Sequence, residues 1–147
     1  MATSRRRRLA LRIGLAGVAV FVLLQFKQPD RSNPPVVSEI DAPPEIARIL
    51  ERSCYACHSN RTTWPWYASV APVSWWVADH VEEGRGDLNF TDWPVFDFEA
   101  IEHNLRDIDE QVSSGEMPLP AYLWLHPEAR LSDADRERLL DWARTGR

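Results

Sequence analysis

The longest apolar run comes first: from Leu9 to Phe26 only Arg12 and Gln25 interrupt it. Four shorter rhythms follow, each at helical spacing. Ile46, Ile49 and Leu50 share a face in a segment from Pro43 to Cys57 that opens on Pro43-Pro44, residues suited to a first helical turn. Val73, Trp76, Val77 and Val81 cluster on a helical wheel between Val73 and Glu83, with His80 among them and Gly84 as the stop. Phe98, Ile101, Leu105, Ile108 and Val112 form one stripe from Asp97 to Ser114, closed by Gly115. Leu139, Leu140, Trp142 and Ala143 give the last helix its packing face; Ser132 and Asp135 match a capping box, and Gly146 ends it. No alternating strand pattern occurs, so the pattern predicts an all-α fold.

Between these segments the chain is polar or broken by proline. Ser59 to Tyr67 is too polar at its start and too proline-rich to be a regular element, and it supplies Trp64, Trp66 and Tyr67 as flat apolar surface. Residues 27–42 hold Pro29, Pro34 and Pro35 among serines and charges and read as a flexible, extended tether. The organisation expected is a signal anchor at 1–26, the tether at 27–42 and one globular domain at 43–147.

The N-terminal run reads as an export signal, with Arg5 to Arg8 as its positive region. From Leu9 it is 18 residues, near the lower limit for spanning a bilayer; from Ile13 to Leu24 it is 12, closer to a cleaved signal. No small-x-small triplet follows Leu24, which favours an uncleaved transmembrane helix over a removed peptide. The expected placement is single-pass in a bacterial cytoplasmic membrane, with the globular domain on the periplasmic side.

Charge sharpens the division. Residues 1–31 hold seven basic residues and one acid, leaving 10 basic and 21 acidic for 32–147, a balance of 10 − 21 = −11. Such acidity argues against nucleic-acid binding and favours a partner protein with a basic face, although it also serves solubility.

The chemistry concentrates in Cys54-Tyr55-Ala56-Cys57-His58, which holds the chain's only two cysteines. This spacing suits covalent attachment of haem c: each thiol adds to one vinyl group, and the next residue offers an imidazole to the iron. A zinc site would need further ligands at metal-binding spacing, a thioredoxin-like pair would need a βαβ context, and a plain disulfide would give His58 no purpose. Met117, the only methionine besides Met1, follows Gly115 in a loop stiffened by Pro118 and Pro120. Its thioether suits the sixth position of a haem iron, against the plainer use of methionine to fill a core gap. His80 and His126 are alternative sixth ligands, whereas His103 falls on the polar side of its helix. Arg61 and Arg85, close to the motif, are candidates for holding the haem propionates, as are indole N–H groups, and Trp64, Trp66 and Tyr67 are candidates for wrapping the porphyrin.

The order helix, C-x-x-C-H, helices, Met in a proline loop and final helix resembles class I cytochromes c. More closely, residues 43–146 resemble the bacterial haem-binding domain family of short, membrane-anchored, tryptophan-rich proteins. The matching stretches are Cys54 to Asn60, Trp64 to Tyr67, Ala71 to Trp75, Glu83-Gly84-Arg85, Leu88-Asn89-Phe90, Glu116-Met117-Pro118 and Leu125 to Ala129. The resemblance implies a cytochrome c-like bundle of four short helices with long loops around a haem. It also implies thioether attachment at Cys54 and Cys57, His58 as proximal ligand and Met117 as distal candidate. An electron carrier is the expected function. A gas or redox sensor with a displaceable sixth ligand is the alternative, and a peroxidase-like enzyme fits least, since His80 alone could serve over an open iron.

Overall fold

A computed structural model describes residues 2–146, with side chains from Arg5. Met1 and Arg147, which bound the expected segments, lie outside the described residues. The described chain is all-helical: α1 spans Ala2–Leu24, α2 Pro44–Ser53, α3 Val73–Asp87, α4 Phe98–Ser114 and α5 Asp133–Thr145. Single 3₁₀ turns lie at Trp66–Ser69, Tyr122–Trp124 and Pro127–Ala129. The only extended pairing among the described residues is an isolated parallel bridge between Ser38 and Asp92.

By internal contacts the chain forms two units. The first joins the N-terminal segment up to Arg31 with Trp64–Asp79; the second joins Ser32–Thr63 with the chain from His80 onward.

In the first unit, α1 exposes nearly all of its apolar side chains. The Gln25 amide anchors the segment after it, accepting from the Ala71 N–H at 2.9 Å and donating to the Ala71 carbonyl at 3.1 Å. Arg31 donates to the Ala68 carbonyl at 2.9 Å. The expected transmembrane helix is not supported: among the described residues no helix is long and apolar enough to cross a membrane. Arg5 to Arg8 and Arg12 lie inside α1, so every 18-residue window of it carries at least three arginines. Its uninterrupted apolar part, Ile13 to Leu24, spans roughly 18 Å at 1.5 Å per residue, against about 30 Å of hydrocarbon. The expected single-pass membrane placement falls with it.

The second unit holds the hydrophobic core. Ile46, Ile49 and Leu50 of α2 meet Leu139, Trp142 and Ala143 of α5, and Ile108 and Val112 of α4 pack on α5 from another side. Tyr55, Phe90 and Trp93 complete this cluster from the loops. Ile101 and Leu105 are half-buried at its margin, while Phe98, expected on the packing stripe, is exposed.

The termini of α4 and α5 fall where their capping residues put them. Asp97 accepts from the Ala100 N–H at 3.0 Å and Ser132 from the Asp135 N–H at 3.1 Å. Gly115 and Gly146 close the two helices at φ of 80° and 68°, a region in which a side chain is strained.

Two boundaries differ from expectation. Helix α2 stops at Ser53, and Cys54 to Cys57 continue as turns, with the Cys57 and His58 N–H groups both donating to the Cys54 carbonyl. Helix α3 runs past Gly84 to Asp87. Residues 32–40, within the stretch expected as a flexible tether, are bonded along their length. Val37 and Ile40 donate to the carbonyls of Thr91 and Phe90, Trp93 donates to that of Ser38, and the Asn60 amide reaches the Pro35 carbonyl.

Candidate haem site

Cys54, Cys57 and His58 come together because α2 ends just before them and its last turn unwinds into a tight reversal. The Cys54 and Tyr55 N–H groups still donate to the Leu50 carbonyl, and Cys57 and His58 fold back onto Cys54. Both thiols are free and half-buried. Burial pushes the Cys54 thiol up to about 12, with the neighbouring Cys57 adding to the shift. Burial also raises Cys57, against a smaller lowering by the Arg85 charge. In both, burial favours the neutral thiol. Among the described residues no group of three or more His, Cys, Asp or Glu is placed to hold a metal ion.

The imidazole of His58 is oriented by backbone. Its Nδ1 lies 2.8 Å from the Gly84 carbonyl oxygen and 3.1 Å from that of Leu88. Both partners can only accept, so the proton resides on Nδ1 and the lone pair of the neutral ring on Nε2. This is how a metal-binding histidine is commonly fixed: a second hydrogen bond sets both tautomer and ring plane. Helix α3 supplies the Gly84 carbonyl by passing very close to the motif. A Cβ added at Gly84 would stand 3.2 Å from the Cys57 carbonyl oxygen and 3.3 Å from the Cys57 Cβ. The glycine that reads as a helix stop is a point of close approach.

The four residues after His58 are tied down as firmly. Ser59 donates to the Tyr55 carbonyl at 2.7 Å, and Thr62 to that of Ala56 at 2.9 Å. The Asn60 N–H donates to the Thr91 hydroxyl at 2.7 Å, and the Asn89 amide donates to Asn60 Oδ1 at 2.9 Å. Arg85 joins this loop to the preceding segment. Its guanidinium donates to the Ser59 carbonyl at 2.8 Å, Asn33 Oδ1 at 2.6 Å, the Thr62 hydroxyl at 3.0 Å and the Ser32 carbonyl at 3.3 Å. Arg61 makes a two-pronged pair with Glu39 at 2.6 and 2.7 Å. Both arginines expected near the propionates are thus engaged by the chain itself.

Beneath the motif lies an aromatic floor. Phe90 stands edge-on to His58, ring centres 6.3 Å apart and planes at 69°. It stacks on Tyr55 at 5.5 Å and 8°, and on Trp93 at 6.1 Å and 11°. Burial, then the charges of Glu39 and Glu51, raise the Tyr55 phenol to about 12.

The other candidates occupy varied places. Met117 is half-buried in the turn after α4, its N–H bonded to the Gln111 carbonyl at 3.0 Å. His126 stacks on Tyr122 at 4.2 Å, and its Nδ1 lies 3.0 Å from Glu128 Oε1. His80 is half-buried on α3, and His103 pairs with Asp107 at the surface, 3.3 Å away. Trp64, Trp66 and Tyr67 belong to the first unit. There Trp66 is exposed and edge-on to Tyr67, while the Trp64 Nε1–H is buried with no hydrogen-bond partner. The contributions of Gly84, Leu88 and Phe90 were not singled out from spacing. Their signal was the recurrence of Glu83-Gly84-Arg85 and Leu88-Asn89-Phe90 among the resembling stretches.

The residues present fit a haem: two unpaired thiols, and an imidazole whose Nε2 carries the lone pair. Comparison with known families agrees. A model of the haem-binding domain matches residues 19–145. The chain belongs to the haem-binding domain family. No curated protein and no solved structure matches it. In this haem-binding domain the family match covers α2 to α5 and the whole region around Cys54 to His58.

Proposed function

We propose that this haem-binding domain carries haem c, joined through thioethers to Cys54 and Cys57, with His58 as proximal and Met117 as sixth ligand, and that it is an electron carrier. The observation that carries the reading is the hydrogen bonding of His58 Nδ1 to the Gly84 and Leu88 carbonyls. A permanent axial ligand needs its tautomer and ring plane fixed with Nε2 left for the iron, and these two hydrogen bonds to Nδ1 do that. The bound group supplies the one-electron couple. The chain's part is to hold the imidazole, to set the Phe90 ring against it with Tyr55 stacked behind, and to present an acidic exterior to a basic redox partner.

Optical spectra of the ferric and ferrous protein, with and without carbon monoxide, test this reading. A sulfur-to-iron band at the red edge of the ferric spectrum and no response to carbon monoxide are expected, with the band lost in Met117→Ala. A high-spin ferric spectrum with ready ligand binding contradicts the carrier. A band that survives in Met117→Ala contradicts the sixth-ligand assignment and directs attention to His80 or His126.

A further inference from the structure

Among the second unit's exposed apolar residues, those just beyond the aromatic floor stand out. Val95, Phe96 and Phe98 occur within four consecutive residues and are 46%, 92% and 82% exposed. They follow directly on Trp93, which stacks on Phe90, which in turn meets His58 edge-on. The Val95 N–H donates to the Trp93 carbonyl at 2.9 Å, so the patch begins beside the last ring of this series. The surrounding charge is mainly acidic, although Arg106 and Arg144 line the groove beside Phe98. From Gly86 to Leu105 the chain has five acids (Asp87, Asp92, Asp97, Glu99 and Glu102) and neither lysine nor arginine. All five are exposed. Two exposed phenylalanines in an acidic rim match the general plan of a protein contact, with aromatic anchors inside and charges around them.

We propose that Val95, Phe96 and Phe98 form the docking surface for a redox protein whose contact face is apolar and rimmed by lysine or arginine. This rests on the electron-carrier reading and gives that carrier a defined exit. One electron leaves the reduced carrier and enters the oxidised metal centre of the partner; no covalent bond forms or breaks and no proton moves. The acidic rim steers the approach, and the phenylalanines set the lifetime of the contact.

Stopped-flow oxidation of the reduced full-chain holoprotein tests it with two probes: a strongly basic ferric cytochrome c, and the small cation tris(phenanthroline)cobalt(III). The variants are Phe96→Ser/Phe98→Ser and, as a rival exposed patch, Trp124→Ser/Leu125→Ser; Trp124 is 83% exposed. The phenylalanine variant should react with the cytochrome about tenfold more slowly, the loss expected for an anchor worth about 1.4 kcal/mol. Its rate with the cobalt complex should be unchanged, and the tryptophan variant should match the wild type with both. Wild-type rates from the phenylalanine variant, or slowing by the tryptophan variant instead, overturn the assignment. A wild type that reduces the cobalt complex but not the cytochrome at low salt refutes the docking surface alone. One that reduces neither refutes the electron-carrier reading beneath it.

Discussion

Gly84 serves the site twice. Its carbonyl, with that of Leu88, accepts the hydrogen bond from His58 Nδ1–H, and its missing side chain lets α3 lie against Cys57. Gly84→Ala is therefore expected to push α3 away and cost about 1–3 kcal/mol, the usual range for overpacking a close contact. Thermal unfolding of the holoprotein checks the loss, and a Gly84→Ala protein as stable as wild type would show that α3 can yield. At this scale the sequence was a partial guide. Cys54, Cys57 and His58 stand out in the sequence because the proposed attachment chemistry would need that spacing. The partners of His58 were not, because carbonyl groups carry no residue signature. Gly84 misled for a related reason: a glycine needed for close approach and one needed for positive φ look the same in sequence. Arg61 and Arg85 stand near the motif, where their bonds run to Glu39 and to Ser59, Thr62 and Asn33, partners that spacing does not reveal.

Among the helices, legibility followed the caps. Asp97, Gly115, Ser132 and Gly146 fixed the ends of α4 and α5 through local chemistry, so the sequence placed them nearly to the residue. Ser132→Ala should cost about 1 kcal/mol, read from denaturant midpoints, by leaving the Asp135 N–H uncapped. Helix α2 ends where the chain reverses at Cys54 to His58, and α3 runs past its contact with Cys57 to Asp87; periodicity shows neither boundary. Helix α1 fails as a span because its arginines lie within the helix rather than beyond it. Ion pairs also join elements: Arg144 of α5 meets Asp109 of α4 at 2.8 Å, and Arg52 of α2 meets Asp135 of α5 at 2.9 Å. Hydrogen bonds from Ser132, then from Arg52, hold the Asp135 carboxyl below its usual 3.8. A carboxyl depressed in the folded state stabilises it above the unfolded value, and that support is lost as pH falls through the folded value. Arg52→Ala should thus cost under about 1 kcal/mol at neutral pH and nothing once the pH has fallen below the depressed folded value of Asp135. A cost persisting in acid would show that Arg52 acts by packing.

For the molecule as a whole, the fold and the site share their central residue. Phe90 is 1% exposed, stacks between Tyr55 and Trp93 and abuts His58, so one ring belongs to the core and to the floor of the motif. Phe90→Ala should cost about 3–5 kcal/mol by the cavity it leaves, measured by denaturant unfolding. A loss under about 1 kcal/mol would mean the stack is dispensable. The all-α class was plain from periodicity, whereas the bonding of residues 32–40 onto Phe90 to Trp93 was hidden, since backbone bonds arise from segments of any composition. The central claim remains covalent haem at Cys54 and Cys57. It is tested most directly by acid–acetone extraction of the purified holoprotein, followed by a pyridine haemochrome spectrum of the pellet. All of the haem should stay with the chain and show two saturated vinyl groups, and Cys57→Ser should retain one thioether at most. Haem that leaves with the solvent, its vinyl groups intact, would contradict the account.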